Sequence, residues 1–210
     1  MTVSPRLNEE RLRRDVVTVG GSAGGIRAFR ALLTHLPKDY RGTIAAVIHR
    51  NRFFESGRLA AVLSRGTPHS VVEPKDDEVI RSKRIYLAPR DRHMLVDDGH
   101  IRLNRGHREH FTRPAIDPLF QSAARSHGPR VIGILLSGCG DDGVDGLIAI
   151  KAAGGISIAQ DPHEAEFAPM PNNALIYDHV DLMLPIREIA TAIAALTDGK
   201  ELRITERRTG

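Results

Sequence analysis

Short apolar runs alternate along the chain with stretches whose apolar positions recur every three or four residues. Val16-Val17-Thr18-Val19 is a β-branched run ending in glycines, the pattern of a buried strand. Ile26, Phe29, Leu32, Leu33 and Leu36 follow at helical spacing, and Pro37 closes the predicted helix. Thr43 to His49 reads as a second apolar strand, Leu59 to Leu63 as part of a second helix, and Arg84 to Ala88 as a strand stopped by Pro89. Met94-Leu95-Val96 and Ile101-Arg102-Leu103 flank Asp97-Asp98-Gly99 and predict a hairpin. Asp117 stands where it can cap a helix running to Gly128-Pro129. Val131 to Leu136 is an apolar strand, followed by a glycine loop and a helix ending at Gly154-Gly155. Ile156 to Ala159 forms a further strand, and the last helix spans about 186–196.

Strands and helices in alternation, with strands apolar throughout, specify an α/β fold: a doubly wound, mostly parallel sheet with helices on both faces. The hairpin near 93–104 is expected as an antiparallel excursion on a sheet edge. Residues 1–14 and 198–210 are charged and aperiodic, so both are expected to fray, one as an N-terminal arm and one as a tail around a single domain at 15–197.

Composition narrows the function. The 210 residues carry a net charge of +4, which suits an acidic partner, either nucleic acid or a Glu-rich protein surface. Aromatic residues make up only 4% and tryptophan is absent, so stacking platforms for single-stranded nucleic acid are scarce. No apolar run approaches the roughly 20 residues of a membrane span, and no stable membrane insertion is expected. Cys139 is the one cysteine, which fits a reducing cytoplasm.

Three segments bring chemistry to the ends of strands. Gly20-x-Ser22-x-Gly24 has the form of a sharp strand-to-helix turn that raises a serine oxygen above the sheet. Free amides at the following helix N-terminus favour an oxyanion. The second strand ends at His49, and the end of strand two lies beside the end of strand one in a parallel sheet. His49 is therefore the expected base for Ser22. The loop Ser137-Gly138-Cys139-Gly140-Asp141-Asp142-Gly143 follows a third strand. One of its two carboxylates can accept a hydrogen bond from the His49 Nδ1–H, and the other can cap the helix that follows. Spacing alone does not assign Asp141 or Asp142 to either role.

Competing readings attach to the same residues. Gly138-x-Gly140-x-x-Gly143, with Asp161 after the next strand, matches a dinucleotide fingerprint. Two carboxylates beside an anionic pyrophosphate speak against it. Cys139 is a second candidate nucleophile for His49, although a lone cysteine is more often a small apolar residue. His100, His107 and His110 lack a spacing tied to a known metal site, and no metal or organic cofactor is expected. Arg102, Arg105, His107, Arg108, His110 and Arg113 form a basic loop, either a solvated surface or a rim that attracts an acidic helix, with Arg105 and Arg108 as the expected rim residues.

Taken together, Val19-Gly20-Gly21-Ser22-Ala23-Gly24-Gly25, the strand closing on His49, Ile85-Tyr86-Leu87-Ala88-Pro89, Asp91-Arg92-His93-Met94, Arg113-Pro114-Ala115-Ile116-Asp117-Pro118-Leu119-Phe120 and the loop 137–143 resemble the catalytic domain of the chemotaxis protein-glutamate methylesterases, the CheB type. The resemblance covers about 16–196. It implies Ser22 as nucleophile, His49 as base and Asp142, the residue before Gly143, as the orienting carboxylate. It implies methyl-ester hydrolysis on receptor glutamates, with glutamine deamidation as a second activity. Oxyanion and loop support falls to Ala23, Gly138, Cys139 and Gly140. The implied partner is a methylated chemoreceptor or similar Glu-rich helical protein; the family's N-terminal receiver domain does not fit in about 15 leading residues, so the expectation is either a stand-alone esterase, for which a separate regulator is one option, or an excised domain. Three departures surround the nucleophile: Ala23 where the family usually has Thr, Cys139 where it has Met, and Arg50-Asn51 where it has Met-Pro. They motivate the alternative of a non-catalytic binding module on the same fold.

Overall fold

The computed structural model describes residues 12–50, 57–178, 180–200 and 202. The strands are β1 (Val16–Gly21), β2 (Thr43–Ile48), β3 (Val71–Val72), β4 (Glu78–Val79), β5 (Ile85–Leu87), β6 (His93–Asp97), β7 (His100–Asn104), β8 (Val131–Leu135), β9 (Ile156–Gln160) and β10 (Leu182–Leu184). The helices are α1 (Gly25–His35), α2 (Arg58–Ser64), α3 (Ile116–His127), α4 (Val144–Ala152), α5 (Pro169–Asn173), continued by a π turn over Ala174–Asp178, and α6 (Ile186–Thr197). Among the described residues no helix is long and apolar enough to cross a membrane.

Seven strands form one sheet in the order β10-β9-β8-β1-β2-β5-β3, and each pairing is parallel. Buried strands alternate between the two faces. Val17, Val19, Ile44, Ala46, Ile48, Ile132 and Ile134 point to a core closed by α1, α2 and α6. Val16, Ala45, Val47, Val131 and Leu135 point to the opposite core, closed by α3 and α4. The expected doubly wound architecture is therefore present. The 93–104 hairpin is also present, but not on an edge of this sheet. β6 and β7 join β4 in a separate antiparallel sheet, order β4-β7-β6, whose Met94, Val96, Ile101 and Leu103 pack into the α3/α4 core. An amphipathic hairpin reaches a buried surface more readily by packing flat on a core than by hydrogen bonding to a strand end.

β1 is the hinge of the topology. The chain leaves it for β2, β5 and β3 on one side and β8, β9 and β10 on the other, so the carboxyl ends of β1, β2 and β8 meet at a switch point. The expected arm and tail lie mostly outside the described residues. Residue 14 belongs to the fold, since the Arg14 amide donates to Leu196 and its guanidinium to the carbonyls of Pro129 and Gly154. Asp198, Gly199 and Lys200 donate their amides to the last carbonyls of α6 and close that helix.

α3 and α4 lie close because Gly146 leaves no side chain between them. A Cβ at Gly146 would stand 2.4 Å from Phe120 Cβ. Gly146→Ala gains about 1 kcal/mol of helix propensity but overpacks a contact with no flexible end to move, at about 1–3 kcal/mol. Net destabilisation is the expected outcome, read as a lower urea midpoint with an unchanged slope.

Candidate active site

Register sets the site. Gly21 pairs with Ile48, so the next residues, Ser22 and His49, leave adjacent strands at the same level. The ladder continues through them: the His49 amide donates to Gly21 at 2.8 Å, and the Ser22 amide to Ser137 at 3.0 Å. Ser22 then turns through Ala23 and Gly24 into α1. Gly24 has φ 73°, and a Cβ there would meet Ser137 Oγ at 2.5 Å, so both the turn and the close approach require glycine. Ser137 ties the turn to the third loop. Its hydroxyl donates to the Ala23 carbonyl at 2.8 Å and accepts the Phe167 amide at 2.9 Å.

The structure brings Ser22, His49 and Asp142 together. Ser22 Oγ lies 3.3 Å from His49 Nδ1, and His49 Nε2 lies 2.9 Å from Asp142 Oδ2. The ring is therefore reversed from the sequence expectation, which placed Nδ1–H on the carboxylate. The Asp142 carboxylate places the hydrogen on Nε2, and Thr112 reinforces that choice. Its hydroxyl donates to the Glu109 carbonyl, so its oxygen, 3.3 Å from Nε2, faces the ring as an acceptor. Nε2 thus looks at two acceptors and Nδ1 is left with a lone pair toward Ser22. Thr112 is a site residue that no periodicity or motif in the sequence singles out.

Asp142 is 3% exposed, and its carboxylate has three hydrogen-bond partners, His49 and two amides from the first turn of α3. Its Oδ2 accepts the Ile116 amide at 2.8 Å and its Oδ1 the Asp117 amide at 3.0 Å. Asp117, 2% exposed, does the converse. It does not cap its own helix, whose N-cap is Ala115. Its Oδ1 accepts the amides of Gly143 and Gly146 at 3.0 and 2.7 Å, at the start of α4. Each helix is thus capped by a carboxylate from the loop or first turn of the other.

The two buried carboxylates hold their protons differently. Burial raises the Asp117 pKa to about 6, with the nearby Asp142 charge adding to the rise. Burial acts on Asp142 in the same direction, but the His49 hydrogen bond and the Ile116 and Asp117 amides outweigh it and lower the pKa. Asp117 also meets His110, whose Nε2 lies 2.9 Å from Oδ2 and whose Nδ1 lies 3.1 Å from Asp141. Burial pulls the His110 pKa down, yet Asp142, Asp117 and Asp141 together raise it. Asp141 is thus the exposed partner of His110, and Asp142 the partner of His49.

The other sequence candidates divide. The Gly138 amide is taken by the Phe167 carbonyl at 3.0 Å, so Gly138 serves the loop through packing: a Cβ there would strike Met170 and Ser22. The Ala23, Cys139 and Gly140 amides have no intramolecular acceptor among the described residues, and the exposed Cys139 stands on the loop beside them. The amides that a pyrophosphate would need at the start of α4 are filled by Asp117, while Asp161 accepts the His163 amide in a local turn. His110, Asp117 and Asp142 bring donor atoms within 4.8 Å of one another, the one described cluster with metal-ligand composition, and each donor already has a hydrogen-bond partner. His100 bonds the Asp98 carbonyl instead, and the His107 carbonyl takes His93 Nε2. A cleft of about 690 Å³ opens beside His49, lined also by Arg50, Arg90, Arg108, Phe111, Thr112 and Arg113. Arg108 reaches this cleft; Arg105 is exposed outside it. Asn51 lies outside the described residues.

The chain is similar to known proteins over most of its length. The sequence model described as CheB methylesterase matches residues 17–193. The chain is 40% identical over 185 residues to protein-glutamate methylesterase/protein-glutamine glutaminase 2 of Anaeromyxobacter dehalogenans, covering 88% of this chain and 54% of that relative. It is 34% identical over 177 residues to a putative protein-glutamate methylesterase/protein-glutamine glutaminase of Leptospira interrogans, covering 84% of this chain and 91% of the relative. The crystal structure of the Thermotoga maritima CheB methylesterase catalytic domain superposes with a TM-score of 0.81 at 28% identity, over 87% of this chain and 98% of that one.

The cross-capping makes stability depend on pH. His110 gains its charge in the folded state more readily than in the unfolded one, so its contribution is full below its ordinary value of 6.5 and disappears as pH rises through the raised folded value. His110→Gln should therefore cost more stability near pH 6 than near pH 9. Urea midpoints of both proteins at the two pH values check this; an equal cost at both would show that His110 acts by packing alone.

Proposed function

The chain belongs to the CheB methylesterase family, and on that premise we propose that it is a serine hydrolase removing methyl esters from glutamate side chains of a chemoreceptor-type, Glu-rich helical protein. Deamidation of glutamine is the second reaction assigned to the same site. The observation that carries this reading is the continuous series from Ser22 Oγ through both His49 nitrogens to Asp142. His49 Nδ1 takes the Ser22 proton as the oxygen attacks the ester carbonyl. The Asp142 carboxylate, kept ionised by its helix amides, stabilises the imidazolium through Nε2–H. The amides of Ala23, Cys139 and Gly140 are the donors available to the developing oxyanion. His49 returns its proton to the departing methanol, or to ammonia from a glutamine. It then activates the water that frees the glutamate and regenerates Ser22. No metal or organic cofactor enters this scheme.

The surroundings support a protein substrate of negative charge. Arg105 and Arg108 lie on the loop between β7 and α3, beside the site, on a chain of net charge +4. Such charges act on association through long-range attraction. The scarcity of aromatic residues gives no support to nucleic acid as the acidic partner. A reducing cytoplasm, where the exposed Cys139 thiol stays free, is the compartment that suits the reading.

Two experiments test it. Ser22 should be labelled by a fluorophosphonate probe, and Asp142→Asn should lower turnover of a glutamyl methyl ester by about four orders of magnitude. Asp142→Asn should also lower the melting temperature, because its amide cannot accept all the α3 donors. Asp141→Asn should cost far less turnover. If Asp141→Asn were the inactive variant, the orienting role would belong to Asp141 instead; an unlabelled Ser22 would favour the non-catalytic binding module. Separately, Arg105→Glu with Arg108→Glu should slow association with methylated receptor and flatten its dependence on salt, measured by stopped flow at several ionic strengths.

A further inference from the structure

The cleft beside His49 holds more positive charge than the proposed reaction uses. A methyl ester is neutral, and the oxyanion it forms sits over Ser22 between backbone amides. Yet four guanidinium groups line the neighbouring wall. Arg113 is fully committed, with Nε and one terminal nitrogen on Asp91 and the other on the carbonyls of Arg105 and Gly106. Arg108 stands 3.5 Å from the same Asp91 carboxylate. Arg90 is exposed and has no partner among the described residues. Arg50 is the unusual member. Its side chain is 4% exposed, and one terminal nitrogen is held by Glu73 at 3.1 Å and the Ala88 carbonyl at 3.0 Å. Its Nε and other terminal nitrogen are buried and have no acceptor among the described residues.

A buried guanidinium left with unmade hydrogen bonds carries a desolvation cost that natural structures rarely leave uncompensated. Among the described residues, the carboxylates that meet these four guanidinium groups are Asp91 and Glu73. These guanidinium groups face a concavity whose wall includes His49. Resting on the esterase reading above, we infer that this cleft is a subsite for a second carboxylate of the substrate, an acidic side chain near the glutamyl ester in the same polypeptide. Arg90 and Arg108 meet that carboxylate from the open side, while Arg50 supplies charge from the buried wall and Arg113 with Asp91 fixes the shape. Arginine suits the task because its planar donors match a carboxylate in pairs. The sequence signal was the Arg50 position itself, a cation directly after the base where the resembling family carries an apolar residue.

Paired synthetic helical peptides test the subsite. Each carries one γ-methyl glutamate and, at one neighbouring position, either Glu or its neutral isostere Gln, with the position varied along the helix. At the best spacing the Glu peptide should show a kcat/KM about tenfold above its Gln twin, the size of one charge-assisted hydrogen bond, expressed in KM. The ratio should fall toward one in Arg90→Gln and in Arg50→Met, variants first checked for a cooperative melt, and should shrink with salt. A ratio near one at every spacing in the parent protein overturns the subsite, and so does a ratio that survives both substitutions. Binding of the same peptides to Ser22→Ala protein, followed by anisotropy, makes the comparison without turnover. Preference retained without hydrolysis by the parent overturns the esterase reading and leaves the subsite; hydrolysis without preference overturns the subsite alone.

Discussion

The site depends on where one buried negative charge is placed. A carboxylate at the position of Asp142 has lost its water, and only a dense set of donors makes that tolerable. The donors come from the first turn of α3 and from His49. The reverse arrangement at Asp117 makes the start of α4 depend on α3 in turn. Two helices, three loops and the histidine are thereby fixed by a pair of groups that repel each other. The conflict is resolved by unequal proton affinity. Asp117, raised to about 6, carries the cost of proximity, while Asp142 stays the stronger acid and keeps its charge for His49. Pairs of acids driven apart by their surroundings are a recurring mark of acid–base chemistry.

The arrangement amounts to two histidine–carboxylate pairs set back to back. Only the His49–Asp142 pair faces a hydroxyl. The His110–Asp117 pair faces solvent through Asp141, and its histidine has a left-handed backbone, φ 48°, in a loop whose next residue, Phe111, is 96% exposed. A non-glycine residue in that region is held by its partners. The imidazole fills the space between two carboxylates and supplies the cation that the pair lacks.

Much of this was legible in the chain. Period-two alternation is absent from buried parallel strands, so Thr43–Ile48 and Val131–Leu135 read simply as apolar, and their flanking glycines and helical spacings gave the order of elements. Because that order is α/β, chemistry at three strand ends could be expected at one edge, and Ser22, His49 and Asp142 do meet there. What could not be read was orientation. Nothing in the sequence distinguishes Nδ1 from Nε2, since the choice rests on where Asp142 and Thr112 stand around the ring, both remote from His49 along the chain. The same holds for Asp117. Its place before an apolar helical pattern suggests a local cap, whereas its partners come from α4, a tertiary contact that local propensity does not encode. The short strands β3, β4 and β10 went unseen because two or three residues give no period to detect. The hairpin was recognisable from its turn, but its pairing with β4 in a separate sheet was not.

The sheet order also has a consequence for synthesis. The nucleophile and the base leave neighbouring strands that are consecutive in the chain, and a growing polypeptide can pair β1 with β2 early. The carboxylate arrives in the loop after β8, a strand that docks on the other side of β1 after β2 through β7 have been made. Such non-local pairing is the slow part of folding. On the ribosome, Ser22 and His49 can therefore be adjacent for an interval before the carboxylate that orients the imidazole has been made. A chain that ends before residue 131 holds Ser22 and His49 on paired strands without the carboxylate of Asp142.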